Sequence, residues 1–348
     1  MTTKIFILYT GGTIGMALKD RKDRASGLVP QNWENLQEYI PAIKPDGIFR
    51  REYGIEIDYM SLKEIQDSSQ LDVTDWLVMA EEIEKRYDRY DGFIIIHGTD
   101  TMAYTASGLS FIFQNLGKPV VLTGSQLPIS HSRTDAIMNL SNAIHIAGYK
   151  AFGLPCIPEV SICFYDRLLR GNRATKISTR DFEAFESPNY PHLAELHESI
   201  SVKTKQVQPK SDKPFHVKAK MNNGVLDLGI FPGLKASQLR SLVIDKNIDG
   251  LILNTYGSGN VPTGKGFLTV LEEAAKRGTL IMFISQSYHG GVQLEKYGPG
   301  KQCADLGVIS GSDMTKEAAL TKMMWVLGNI EEEKRSEYLQ KNLAGELD

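Results

Sequence analysis

The chain has few cysteines and none in pairs. Cys156, Cys163 and Cys303 are three in 348 residues, an odd and sparse set without a C-x-x-C spacing. This excludes a disulfide framework and suits a reducing compartment. Long apolar runs are also missing. The stretch "IFILY" near the start is shorter than a signal-peptide core, and no run reaches the length of a membrane span. A cytoplasmic protein is therefore expected. Nor does one charge dominate: 39 Lys and Arg against 42 Asp and Glu leave a net −3, so no field draws the chain to nucleic acid or membrane. The seven histidines show no H-E-x-x-H or similar spacing, and no metal is expected. "TGGTIG" (Thr10–Gly15) comes near a dinucleotide loop, but Gly11, Gly12 and Gly15 do not give G-x-G-x-x-G, and no Walker lysine follows.

What the chain does have is length and rhythm. Its 348 residues exceed one typical domain and suit two. "KIFILYT" (Lys4–Thr10), "GFIIIHG" (Gly92–Gly98) and "KPVVLTGSQ" (Lys118–Gln126) read as buried strands. Helix-period stretches lie between them. "VTDWLVMAEEIEKRYDRY" (Val73–Tyr90) puts Trp76, Met79, Ile83 and Tyr87 on one face, with Thr74 as N-cap. "MAYTASGLSFIFQNLG" (Met102–Gly117) is stopped by Gly117, and another helix is expected from Thr134 to Ala147. Strand–helix–strand alternation predicts an α/β fold, a mostly parallel sheet with helices on both faces.

The rhythm breaks over Ser201–Asn223, which is polar, basic and aperiodic and reads as a connector with some extended structure. It returns with the strands "VLDLGIFPG" (Val225–Gly233), "IDGLILNTYGSGN" (Ile248–Asn260) and "TLIMFISQS" (Thr279–Ser287), each followed by a helix, and with a last amphipathic helix from Thr315. The expected organisation is a larger N-terminal α/β domain over 1–200, a linker over 201–223 and a smaller, Rossmann-like α/β domain over 224–348. The charged end, Glu331–Asp348, reads as a surface helix with a frayed terminus.

Two strands end alike. "FILYTGGTIGM" (Phe6–Met16) and "IIIHGTDTMAYT" (Ile94–Thr105) each pass from an apolar run to a glycine and a bare threonine hydroxyl, with a pattern that reads as a helix beyond. "LTGSQ" (Leu122–Gln126) ends a third strand, and "IQDSSQ" (Ile65–Gln70) follows the run "IEIDYMSLKE". Ligands of open parallel sheets bind outside the carboxyl ends of the strands, so four small, hydroxyl-rich turns converge on one expected face. Nucleophilic catalysis by threonine fits that composition. A hydroxyl needs a nearby base or cation. Glycines admit substrate close to the backbone and leave main-chain N–H groups to stabilise an oxyanion. Thr13 and Thr99 supply hydroxyls and Asp100 a carboxylate. Lys176, in "RGNRATK" (Arg170–Lys176) after the apolar run "VSICFY", supplies a partly desolvated amine.

These motifs, with "YTGGTIGM" (Tyr9–Met16), "DSS" (Asp67–Ser69), "DGFIIIHGTDTMAYTASGLSF" (Asp91–Phe111), "GKPVVLTGSQLP" (Gly117–Pro128), "FESPN" (Phe185–Asn189) and "TYGSGNVP" (Thr255–Pro262), cover essentially the whole chain. Together they resemble the bacterial-type L-asparaginases, most closely the cytoplasmic type I branch. The resemblance implies hydrolysis of L-asparagine to L-aspartate and ammonia without metal or organic cofactor. It implies a two-domain α/β protein that works as a homodimer or homotetramer, with the active site near the subunit interface. By motif, Thr13 is the primary nucleophile and forms an acyl-threonine. Thr99, Asp100 and Lys176 are a second set, in which the lysine draws the proton from the Thr99 hydroxyl. Ser68 and the backbone of Asp67–Ser69 hold the substrate α-carboxylate, and Asp100 its α-ammonium. Asn260 is implied to reach the neighbouring subunit's site. Some cytoplasmic members also carry an effector site for asparagine; Thr175, Asn254 and Ser287 are polar residues that would serve one here. One departure stands out. The family commonly has a tyrosine in a mobile loop soon after TGGT, which activates the first threonine, yet no tyrosine lies between Ile14 and Glu38. Leu28, in "SGLVPQ", stands at the nearest counterpart, and the loop "LKDRKDRASGL" (Leu18–Leu28) is expected to act as a lid.

Each residue also has a plainer reading. Thr13 and the Thr99–Asp100 pair are ordinary N-capping chemistry, Lys176 a solvated loop lysine, Ser68 and Ser69 loop polarity, and Asn260 a turn former. Taken together in motif order, they favour the catalytic reading. His97 is expected to be a buried, hydrogen-bonded histidine rather than a base, and Cys156 and Cys163 core residues. Three other functions stay open. One is a glutaminase-asparaginase of mixed specificity, since one methylene discriminates weakly. Another is a tRNA-dependent amidotransferase subunit of archaeal type, disfavoured because no further N-terminal domain precedes TGGT. The third is a non-catalytic amino-acid sensor.

Overall fold

Ile5, Phe6, Ile7, Leu8 and Tyr9 are all buried, so the first strand, Thr3–Gly11, is covered on both faces, as strands of parallel sheets are. It pairs in parallel with Ile55–Gln66 on one side and Gly92–Ile96 on the other. Val120–Thr123 and Val160–Phe164 continue the parallel set. Arg167–Arg170, Ala194–Leu196 and Ile200–Val202 extend the sheet antiparallel. These eight strands form one sheet, the frame of the unit Met1–Val217. The computed structural model describes residues 2–20, 23–31, 33–264, 266–296 and 298–348.

Alternation along the strands sends Ile5, Ile7, Tyr9, Ile94, Ile96 and Val121 into a core shared with Leu140, Ala143, Ile144 and Ala147 of the helix Ala136–Ala147. The opposite set, Phe6, Leu8, Phe93, Ile95 and Leu122, is equally buried. The helices Val73–Glu84 and Met102–Ile112 pack on each other, with Trp76 against Gly108. The second unit, Lys218–Asp348, is built on a parallel sheet in the order Val225–Gly229, Gly250–Thr255, Leu280–Ser285, Ile309–Ser310. Helices Ala236–Val243, Phe267–Lys276, Gly298–Asp305 and Lys316–Asn329 follow these strands. The fold is thus the expected pair of α/β units.

Several local elements differ from expectation. After the first strand there is no helix but one 3-10 turn, Thr13–Gly15, and then an antiparallel hairpin of Met16–Asp20 with Asp23–Pro30. Tertiary bonds replace helical ones here: the Tyr9 hydroxyl beneath the turn donates to Gln31 O at 3.1 Å, and Gln31 N donates to Gly15 O at 2.7 Å. Arg21, Lys22 and the side chain of Leu28, on which the expected lid and tyrosine counterpart fall, lie outside the described residues. Asp72, not Thr74, caps the helix Val73–Glu84. Its carboxylate accepts from Thr74 N at 2.7 Å and Asp75 reciprocates, a capping box. That helix ends at Glu84 rather than near Tyr90. The helix from Met102 stops at Ile112, five residues before Gly117, because Phe113–Gln114 leave it to pair with His216–Val217.

The stretch 201–223 has the extended structure expected of it, but most of it belongs to the first unit. Ile200–Val202 and His216–Val217 are strands of the first unit, and the two units divide after Val217. At the C-terminal end the expected surface helix is present as Arg335–Gln340, exposed or half-buried except at Leu339, but the terminus beyond it is not frayed. Leu339, Glu346 and Leu347 are buried, and Glu346 pairs with Lys322 inside the second unit. Opposite charge on the helix Lys316–Asn329 makes that burial tolerable. Cys163 is fully buried as expected, whereas Cys156 is only half-buried, and all three cysteines are free. Among the described residues no helix is long and apolar enough to cross a membrane.

Candidate active site

Parallel pairing brings Gly11–Thr13, Gln66–Ser69, His97–Asp100 and Gly124–Gln126 to the carboxyl ends of neighbouring strands. Two glycines set how closely the turns approach. Gly12 has φ 87°, and a Cβ there would lie 2.4 Å from both the N and the Cα of Gly98. A Cβ on Gly98 would lie 2.5 Å from the Ser68 hydroxyl oxygen. No side chain fits at either place, so TGGT, HGTDT and DSS meet with backbone in contact. Thr13 and Thr99 are each the residue after a touching glycine. Hydroxyl groups lock the contact: Thr10 Oγ1 donates to Ile96 O at 2.9 Å, and Thr101 Oγ1 to Ser68 O at 2.7 Å.

Thr99 is buried, Thr13 half-buried and Asp100 exposed. Lys176 comes from the short antiparallel pair of Thr175–Lys176 with Phe185–Glu186. Its ammonium donates to Thr99 Oγ1 at 2.7 Å and to Asp100 Oδ1 at 2.6 Å. The lysine side chain is 15% exposed against 62% for Asp100, so the ion pair stands at the rim, with the amine on the inner side. The Thr13 hydroxyl has no hydrogen bond among the described residues. Capping accounts for none of these groups. Gly12 precedes the turn Thr13–Gly15 without a side-chain cap, and Thr101 precedes the helix Met102–Ile112 likewise.

In the DSS turn the Asp67 carboxylate accepts from Ser69 N at 2.9 Å and so shapes the turn itself. Ser68 is buried against Gly98 and Ser69 is exposed. His97 is completely buried. Its Nδ1 lies 2.7 Å from Gly98 O, which can only accept, so Nδ1 carries the proton. Nε2 then accepts from the Thr105 hydroxyl at 2.9 Å. Burial pulls its pKa down to about 4, so the ring is neutral and structural. Asn260 lies in the second unit, where its backbone closes a turn with Tyr256 at 2.9 and 3.0 Å. Asn254, also in that unit, donates through Nδ2 to Asp227 Oδ1, while Thr175 belongs to the first. Sequence reasoning passed over Thr101, and also Asp135 and Asn139, which bond the LTGSQ turn from behind. Thr101 stands inside a quoted motif. Asp135 was signalled only by its place at a helix start.

Two family models match the chain: "Asparaginase, N-terminal" over residues 4–208 and "Glutaminase/Asparaginase C-terminal domain" over residues 225–339. L-asparaginase 1 of Escherichia coli (strain K12) is 39% identical over 344 residues, covering 99% of this chain and 97% of that protein. The crystal structure of L-asparaginase I from Vibrio cholerae is 37% identical, with a TM-score of 0.88 and 100% of each chain covered. The thermostable L-asparaginase from Thermococcus kodakarensis is 33% identical, with a TM-score of 0.88 and 99% of each chain covered. With matches running through both units, the chain belongs to the asparaginase family.

Proposed function

We propose that this chain hydrolyses L-asparagine to L-aspartate and ammonia by double displacement through a threonine acyl-enzyme. The observation that carries the reading is the Lys176 ammonium held between Thr99 Oγ1 and Asp100 Oδ1, with Thr13 one residue beyond the Gly12–Gly98 contact. Thr13 is the nucleophile. In the first half-reaction a bond forms from Thr13 Oγ to the side-chain carbonyl carbon and the C–N bond breaks, the hydroxyl proton leaving with ammonia. In the second, the oxygen of water bonds to the acyl carbon, the ester bond to Thr13 Oγ breaks, one proton of the water returns to Oγ and aspartate leaves. Thr99 and Lys176 carry protons between these steps, and main-chain N–H groups of the glycine turns stabilise the oxyanion. Ser68 and the Asp67–Ser69 backbone hold the α-carboxylate. The Asp100 oxygen not engaged by Lys176 accepts from the α-ammonium, so the substrate is fixed at both ends and its amide is delivered to the hydroxyl. Asn260 contributes to the site of a neighbouring subunit. No metal or organic cofactor takes part.

The protein acts in the cytoplasm as a homodimer or homotetramer. Free cysteines support the compartment. Ile137, Met138, Tyr165 and Ile177 are large apolar side chains left exposed, and Ile177 adjoins Lys176, which supports an interface beside the site. Sedimentation analysis tests this, and a monomer at micromolar concentration would count against it. Function is tested by steady-state ammonia release from asparagine and glutamine over a wide concentration range, beside Thr13→Ala and Thr99→Val. An amidohydrolase loses turnover in both variants. A protein that binds asparagine and releases no ammonia is a sensor, and comparable rates on the two amides mean mixed specificity.

A further inference from the structure

We infer that Asp135, with Asn139 beside it, is a positioning residue that sets the LTGSQ turn and, through Gln126, the loop following Lys176. The inference deepens the proposed amidohydrolase reading and rests on it for what Lys176 does. Asp135 opens the helix Ala136–Ala147 and is nearly buried, yet its carboxylate does not cap that helix. Oδ2 accepts from Gln126 N at 2.9 Å and Oδ1 from Leu127 N at 3.1 Å. Asn139, one turn further on, donates through Nδ2 to Asp135 Oδ2 at 3.1 Å and to Gly124 O at 2.9 Å. Its Oδ1 accepts from Tyr165 N at 2.9 Å. A buried carboxylate needs such donors, and two of the three, Gln126 N and Leu127 N, belong to one turn. Residues 124, 126 and 127 are therefore held by a single helix.

The turn passes that constraint to both neighbours. A Cβ on Gly124 would stand 2.3 Å from His97 O, so the turn lies directly on the strand end that carries HGTDT. On its other side Gln126 Nε2 donates to Asp181 O at 2.9 Å and to Ser178 O at 3.4 Å. The Ser178 hydroxyl closes that loop, donating to Asp181 Oδ2 at 3.0 Å and accepting from Arg180 N and Asp181 N at 3.1 and 2.9 Å. Lys176 lies two residues before Ser178. Its ammonium is gripped by Thr99 and Asp100, and its backbone is steadied through Gln126 and Asp135.

Native-state labelling of lysines with trace acetic anhydride, read by mass spectrometry, tests this. The signal is the acylation of Lys176 relative to the exposed Lys276. In Gln126→Leu the ratio is expected to rise roughly three- to tenfold, the change in open population that losing one neutral hydrogen bond permits, and in Asp135→Asn, which weakens bonds to a carboxylate, by at least as much. The kcat for ammonia release should fall while KM moves little. A purely structural role would lower the melting temperature without raising this ratio in the folded protein. Gln126→Leu cuts only the outer link, so it keeps the test decisive if Asp135→Asn does not fold. An unchanged ratio in Gln126→Leu overturns the inference. Labelling needs no substrate, so a wild-type protein that released no ammonia would sink the proposed activity and leave this result standing on its own.

Discussion

Gly12 and Gly98 touch with no room for a side chain between them: a Cβ on the first would stand 2.4 Å from the Cα of the second. Their strands are neighbours in the sheet, and the contact makes one site of two motifs separated by more than eighty residues. Gly12→Ala places a side chain at φ 87° and against backbone, which cannot give way. It should cost about 3 kcal/mol in urea denaturation and abolish turnover. Gly98→Ala needs no unusual φ but meets the Ser68 hydroxyl at 2.5 Å and the Ser68 Cβ at 2.7 Å, the second of which no side-chain rotation relieves, so its stability loss should be about 1–3 kcal/mol. It should nonetheless lower kcat/KM at least about a hundredfold, since a displacement near 1 Å suffices. Wild-type activity in Gly98→Ala would refute the role given to this contact.

Lys176→Met removes the ammonium from between Thr99 and Asp100. Its kcat/KM for asparagine should fall about 10²–10⁴-fold, the range of a positioned proton-transfer group. Stability should change little, because Asp100 is mostly exposed and such pairs are screened. Lys176→Arg should not restore the rate: a guanidinium keeps its proton and its fork does not match a point contact with one hydroxyl. Activity surviving in Lys176→Met would remove the lysine from the mechanism.

His97 makes stability depend on pH in a defined window. Burial holds its folded pKa at about 4, against 6.5 for an unhindered ring. Above 6.5 the ring is neutral in both folded and unfolded chains and contributes no slope. As pH falls from 6.5 toward 4 the unfolded chain takes up a proton that the folded one refuses. Stability is lost across that window, by about 3 kcal/mol in all. Urea titrations at pH 6.5 and 4.5 should show this loss, and His97→Gln should show a shallower one. Equal slopes for the two proteins would mean the imidazole is not the group responsible.

Much of this was legible in the chain, because strands buried on both faces read as unbroken apolar runs and the turns that end them are rich in glycine and hydroxyls. Thr13, Thr99, Asp100 and Lys176 lie on such turns or follow them closely. The illegible parts are those where a distant partner outweighs local preference. Phe113–Gln114 carry a helical pattern but pair with His216–Val217, about a hundred residues away. The stretch after TGGT reads as a helix, yet Tyr9 and Gln31 draw it into a hairpin. Asp72 and Thr74 are both good caps, and only the first residue to leave the helix decides between them. Asp135 looks like one more capping aspartate until its bonds to Gln126 and Leu127 are seen.

Lys322 and Glu346 illustrate the same limit at the chain's end. Nζ lies 2.6 Å from Oε1 and neither side chain is exposed. The ammonium also donates to Lys341 O at 2.7 Å, and the carboxylate accepts from Leu343 N and Ala344 N at 3.0 and 2.7 Å. Burial pulls the lysine pKa below its ordinary range, and the Glu346 carboxylate opposes that pull. Such a pair stabilises little beyond an apolar substitute, but breaking it strands one charge in the interior. Glu346→Gln and Lys322→Met should each cost about 3–5 kcal/mol, while Lys322→Met with Glu346→Leu should cost less than either alone. Urea denaturation of the three variants gives the comparison. A single substitution within about 0.5 kcal/mol of wild type, as at an ordinary surface position, would show that the C-terminal residues are held by their apolar contacts and not by this pair.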